Sequence, residues 1–264
     1  MNIFLRELRA NRKSLIIWSV IVILFSVVGF SKFSGFYTNP ELLAVLDSMP
    51  PAMLEALSMN AFNLTTVSGF YGIMIIYFGL ILTIAAAMWG SDIITKEERD
   101  KTVEFALTLP VTRSRLISAK AAAALVNCVI LLLVTWGITL VGARNYAPDA
   151  EFYRFVALSM LGFFFMQLIF LAVGIFLGAA LKRHKRAGSL AIAVILVTYF
   201  LSIITELNDK LDFLKFFTPF KYFEGAKLLH ESQIEILFVL LSVAIAAVFL
   251  AGAYIAYQKR DLYI

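Results

Sequence analysis

The residue types that most often do chemistry are scarce in this chain, and their spacing excludes several reactions. The two histidines are His184 and His230. His230-Glu231 opens like the H-E-x-x-H of a zinc hydrolase, but Ser232, Gln233 and Ile234 follow, so the second imidazole ligand is missing. Glu97-Glu98 begins like a glutamate-based membrane-protease signature without the histidines that would complete it. No G-x-x-x-x-G-K-S/T occurs, so the chain has no P-loop with which to hydrolyse ATP. Cys128 is the single cysteine, which excludes an intrachain disulfide or a cysteine-built metal site. The segment with most binding character is Asp92 to Lys120, DIITKEERDKTVEFALTLPVTRSRLISAK.

Within it, Thr95, Asp100 or Thr102 can N-cap a short helix whose early part holds Glu97, Glu98 and Glu104. Pro110 ends that helix after Leu109. Val103, Phe105, Ala106 and Leu109 form a small apolar stripe beside the charges. A plain connector needs only a few residues, whereas a charged helix with an apolar edge suits a groove in a soluble partner. Glu98, Glu104 and Arg113 are the expected polar contacts and Phe105 the apolar anchor. A surface helix against lipid headgroups is the alternative, with Arg113 then binding lipid phosphate.

The elements that must position this segment are set by composition. Hydrophobic residues make up 61% of the 264, charged residues 16%, and mean hydropathy is +0.87. A water-soluble globule cannot cover that much apolar surface. Six stretches, 14–31, 67–91, 121–141, 155–181, 187–205 and 236–257, hold no charged residue or histidine and together make half of the chain. Each is near the roughly 20 residues that cross a bilayer as a helix. They are apolar on every face, unlike the alternating strands of a barrel. The expected fold is an all-α polytopic membrane protein with six transmembrane helices in one domain spanning 1–264.

Basic residues orient it. With the N-terminus inside, all but seven of the 23 Lys and Arg lie on the cytoplasmic side, the exceptions being Lys32, Arg144, Arg154, Lys210, Lys215, Lys221 and Lys227. Both termini are therefore expected in the cytoplasm, and the pI near 9.3 calls for no nucleic-acid partner. Trp18 and Trp89 fall near the cytoplasmic ends, at the headgroup level indoles favour. Residues 2–13 set Ile3, Phe4, Leu5 and Leu8 against Arg6, Glu7, Arg9, Arg12 and Lys13 at helical spacing, which reads as an amphipathic helix on the inner leaflet. The external segment 206–235 crowds Phe213, Leu214, Phe216, Phe217, Phe220, Tyr222 and Phe223 around Pro219, and reads as short helices dipping toward the membrane and broken at Thr218-Pro219. Gly174 and Gly178, like Ala86 and Gly90, allow close helix approach within one chain or between two. No span carries the charged residue an ion-coupled carrier usually places there.

Taken in order, four features resemble the ABC-2 type permeases of type V ABC exporters. They are the basic helix at 2–13, the Glu98, Thr102, Glu104 pattern followed by Leu107-Thr108-Leu109-Pro110-Val111-Thr112-Arg113, the aromatic Thr218-Pro219-Phe220-Lys221-Tyr222-Phe223, and the ending Tyr257-Gln258-Lys259-Arg260-Asp261-Leu262. The resemblance covers essentially the full length. It implies that 2–13, with Phe4, Arg6, Leu8 and Arg9, is the elbow helix. It also implies that the segment about 96–115, with Glu97, Glu98, Thr102, Glu104, Phe105, Leu109, Pro110 and Arg113, contacts an ATPase through a coupling helix. The assembly implied has two permeases, identical or sisters, and two ATPase subunits, with ATP and Mg on the ATPase and no cofactor on this chain. The function expected is ATP-driven export of an amphipathic or hydrophobic substrate, such as a lipid or peptide antibiotic, across a prokaryotic plasma membrane. An ATP-independent channel or facilitator, or a membrane scaffold or sensory subunit, is the alternative.

Overall fold

The computed structural model describes residues 3–37, 39, 41, 48–50, 53, 62–100, 111–181, 184–207 and 209–259. Among them 86% are helical and none is in a strand, as an all-α membrane protein requires. A short helix α1 (Ile3–Ala10) leads into six long ones: α2 (Arg12–Phe33), α3 (Val67–Arg99), α4 (Arg113–Ala143), α5 (Ala150–Ala180), α6 (His184–Leu207) and α8 (Ile236–Lys259). The six are long and apolar enough to cross a membrane. Between α6 and α8 lie two 3-10 turns, Asp209–Phe217 and Pro219–Lys221, and the short helix α7 (Gly225–His230). The end of the bundle that carries both termini is called here the terminal face, and the other the far face.

Local chemistry starts the spans. Thr66 caps α3 by accepting from the Gly69 N–H at 3.1 Å, Thr112 caps α4 through the Arg115 N–H, and Asp149 caps α5 through the Phe152 N–H at 2.8 Å. One expectation about the stretch after 91 is corrected here. Thr95 does not begin a helix; its buried hydroxyl donates to the Ser91 carbonyl within the last two or three turns of α3. Asp100 ends α3, which runs unbroken to Arg99. Glu97 and Glu98 therefore sit on the projecting tail of a span about 50 Å long. The expected loop helix at about 100–109 lies outside the described residues, except for Asp100.

The bundle is built around α3 and α5, whose membrane windows are 61% and 67% buried, against 17–22% for α2, α6 and α8. Apolar residues gain little by leaving lipid for a protein interior, so this pairing depends on close backbone approach. A Cβ on Gly174 would stand 2.3 Å from the Ala87 carbonyl oxygen, one on Gly90 2.4 Å from that of Leu171, and one on Gly178 2.9 Å from that of Ser91. The three glycines thus pack within one chain. At the far end of the same interface the Tyr71 hydroxyl and Ser159 Oγ meet at 2.6 Å. Trp89 faces into the bundle: it is buried, and its indole N–H donates to Ser14 Oγ at 2.9 Å, fixing the start of α2 against α3.

The segment after α6 returns into the bundle. Thr218 is extended and buried, separating the two 3-10 turns. Beyond it the Phe220 ring lies 5.5 Å from Tyr199 and 5.8 Å from Phe170, and 3.9 Å from a Cβ position on Gly79. Gly79 is twelve residues into α3, so Phe220 reaches about 18 Å below that helix's far end. Phe223 stacks on Phe165 and Tyr222 on Phe238, at 5.8 and 5.0 Å.

Two glycines test whether α3 and α5 depend on contact at this range. Nothing lies within 4 Å of a Cβ on Gly137. Gly137→Ala should therefore be neutral or stabilising by up to about 1 kcal/mol, whereas Gly174→Ala should cost about 1–3 kcal/mol. Thermal unfolding of both variants in the same detergent measures the difference.

Candidate functional site

The site is assembled at the terminal face, where α1 meets the tails of α3 and α4. Ile3, Phe4 and Leu8 pack on the core and leave Arg9 exposed, as the amphipathic spacing of the N-terminal helix requires. The same helix also turns an acid inward. Glu7 has no exposed surface, and its carboxylate is held by Lys96 of α3 and, at 3.2 Å, by Arg6. One residue further along α3, Glu97 bonds to Lys120 of α4 and is approached by Arg6 at 3.6 Å. Lys120 is 1% exposed and also donates to the Ile93 carbonyl at 2.7 Å. Three cations and two carboxylates from three helices thus form one largely buried cluster.

Burial makes the cluster matter. A buried charge without its partner carries a large desolvation penalty, so each member holds the others in place. The nearby pair Arg99–Asp92 has side chains 48% and 40% exposed, and its contribution is screened by water. Both kinds of pair flank residues 101–110.

The expected coupling residues separate into three groups. Glu97 faces into the cluster and braces α3 against α4, so it is not presented for direct contact with a partner. Glu98 is partly buried beside it. Arg113 lies at the start of α4 and donates to the carbonyls of Tyr257 and Gln258, at 3.1 and 3.3 Å. A cation there satisfies main-chain acceptors that the end of α8 leaves open and complements its dipole. Gln258 to Ser114 Oγ, at 3.1 Å, and Ser118 Oγ with the Tyr254 hydroxyl, at 2.7 Å, join the same two helices. Thr102, Glu104, Phe105, Leu109 and Pro110 lie outside the described residues.

Three members of the cluster, Glu7, Lys96 and Lys120, were not marked as site residues by the sequence. The available signal was that Glu7 is the lone acid among Arg6, Arg9, Arg12 and Lys13. Deeper in the bundle the buried polar groups are neutral. Gln167 is fully buried and donates to the Cys128 carbonyl at 3.4 Å, and Asn127 is buried next to that carbonyl in sequence. A search for charge within spans passes over both amides.

The cluster makes a testable demand. Lys120→Met removes one cation and leaves Glu97 buried beside a thioether, at an expected cost of about 3–5 kcal/mol. Adding Glu97→Gln should restore most of that loss, while Arg99→Ala should cost no more than about 1 kcal/mol. Melting of the three variants in detergent reads out the order.

The bundle thus presents six spans, a braced N-terminal helix, and two anchored helix ends on either side of residues 101–110. In the comparisons, residues 1–262 match the family model described as ABC-2 family transporter protein. No curated protein matches the chain. Members of this family are membrane transport components that partner with a separate ABC ATPase. With the match covering nearly its whole length, the chain belongs to the ABC-2 transporter family and is a membrane permease of an ABC transporter.

Proposed function

We propose that this permease exports an amphipathic or hydrophobic substrate across a prokaryotic plasma membrane, driven by ATP and Mg bound to separate ATPase subunits. Both termini are cytoplasmic in this reading, which the crowding of Lys and Arg at the terminal face supports. Two permeases, identical or sisters, stand on an ATPase dimer. Residues 100–109 form the coupling helix, with Glu98, Thr102, Glu104, Phe105, Leu109 and Pro110 at or near its contact surface.

The observation that carries this reading is the buried ion cluster. A force on residues 101–110 acts on the tails of α3 and α4, and these tails are bonded to α1 through Lys96–Glu7 and Lys120–Glu97. Arg113 extends the connection to the end of α8. A closing ATPase dimer therefore pushes on a rigid group of helix ends. The close contact of α3 with α5 carries the displacement into the membrane, as a rigid-body rearrangement of packed helices. Apolar spans with neutral buried amides suit an amphipathic cargo better than a strongly charged one crossing a polar pore.

Purification of the tagged permease from its native membrane in mild detergent tests the reading. An ATPase should accompany the wild type and hydrolyse ATP, and the variant Glu104→Arg, Phe105→Ala should lose both the partner and the activity while remaining folded. Recovery of the wild type without any ATPase, even after crosslinking, would sink the coupling assignment.

A further inference from the structure

Polar side chains buried in a span must find partners within the protein, because lipid offers none. Several here use their own helix: Thr83 donates to the Gly79 carbonyl at 2.7 Å and Thr135 to that of Leu131 at 2.8 Å. Among the described residues, the apolar stretches contain four buried side chains with a polar atom that has no hydrogen-bond partner: Ser26, Asn127, Thr139 and Gln167. A hydroxyl can turn to a carbonyl one helical turn back, as Thr83 and Thr135 do, so Ser26 and Thr139 have that recourse. The two amides are a different case. Asn127 lies midway along α4 and Gln167 midway along α5, which puts both near the centre of the bilayer.

Their open atoms are complementary. Asn127 leaves a donor, Nδ2, and Gln167 an acceptor, Oε1, on residues only 1% and 0% exposed. Gln167 Nε2 donates to the Cys128 carbonyl at 3.4 Å. A carbonyl only accepts, so this bond fixes which end of the Gln167 amide is nitrogen. It also holds that amide at the turn of α4 where Asn127 sits, and Oε1 shares a carbon with the bonded Nε2. The open donor and the open acceptor therefore belong to one junction between α4 and α5, yet they do not bond to each other.

What fits this junction must be small, neutral, and able to accept from one amide while donating to the other. A lipid chain can do neither, and an ion would find no counter-charge, since neither apolar stretch holds a charged residue or histidine. Water meets every condition, and buried waters characteristically serve about two to four polar groups that the protein leaves open.

We propose that Asn127 and Gln167 form a water-binding site at the centre of the bilayer, where one water accepts from Asn127 Nδ2 and donates to Gln167 Oε1. The bridge is a third tie among the central helices. Glycines lock α3 to α5, and Lys120–Glu97 locks α3 to α4, so a water joining α4 to α5 closes the triangle within the membrane. The inference rests on the six membrane spans and not on the ATPase partner.

Proton-detected solid-state NMR of the full chain in phosphatidylethanolamine and phosphatidylglycerol vesicles tests it through the Asn127 side-chain amide, whose signal is identified by its loss in Asn127→Leu. The expected result is magnetisation transfer from water to the Asn127 Nδ2 protons in the wild type, and loss of that transfer in Gln167→Leu. Gln167→Leu should also melt below the wild type, and adding Asn127→Leu should recover most of the shift, because neither helix is then left with an unpaired amide. Transfer to Asn127 from the Gln167 amide, with none from water, would establish a direct bond and overturn the proposal. Water transfer that persists in Gln167→Leu, or melting losses that simply add, would overturn it equally. The wild-type spectrum decides the matter even where Gln167→Leu does not fold, since an Asn127 amide out of contact with water contradicts the site by itself.

Discussion

Charge removed from water must be paired, and this constraint organises the terminal face of the permease. Glu7 and Lys120 are almost wholly inaccessible, and each is bonded across helices to α3: Glu7 to Lys96, with Arg6 of its own helix at 3.2 Å, and Lys120 to Glu97. The tail of α3 is thus the common element, projecting about two turns beyond the apolar stretch that ends at residue 91. If it ended with that stretch, Lys120 would be a buried charge without its carboxylate, and Glu7 would keep only the partly exposed Arg6. The arrangement gives the N-terminal helix a fixed place on the bundle, which an amphipathic helix merely resting on lipid does not have.

Further into the membrane a different constraint takes over. Side chains there gain little by trading lipid for protein, so the spans associate where backbones approach closely and polar groups pair. Gly90, Gly174 and Gly178 bring α3 and α5 together at ranges that admit no side chain, and the Tyr71–Ser159 bond holds the same two helices near the far face. The outcome is a stiff central pair with α2, α6 and α8 around it, largely lipid-facing. A stiff pair whose tail enters the ion cluster is a suitable lever between a soluble motor and the membrane interior.

Much of this was legible in the sequence, because span length and charge exclusion are set by the bilayer. The six stretches appear as helices, and the break at Thr218-Pro219 appears where the proline predicts it. The extension of α3 through Thr95 and Glu97 was not legible. A charged run after an apolar span reads equally well as loop or as continued helix, and Lys120 on another helix supplies the stabilisation that decides it. Arg113 was legible as a cation at a boundary but not as the cap of α8, since its acceptors lie at Tyr257 and Gln258, far along the chain. Glu7 was obscured by the same amphipathic pattern that revealed α1: spacing puts an acid on a helix but does not say that a lysine waits in the core. The inward reach of Phe220 was hidden because aromatic density around a proline does not fix depth.

The central claim is that the N-terminal helix and the helix ends flanking residues 101–110 move as one body when the ATPase acts. Hydrogen–deuterium exchange on the purified complex, with and without ATP trapped by vanadate, tests this most directly. The account predicts that protection changes together in residues 3–10, 93–99 and 113–120. A change confined to 101–110, with the N-terminal helix exchanging as before, would contradict it.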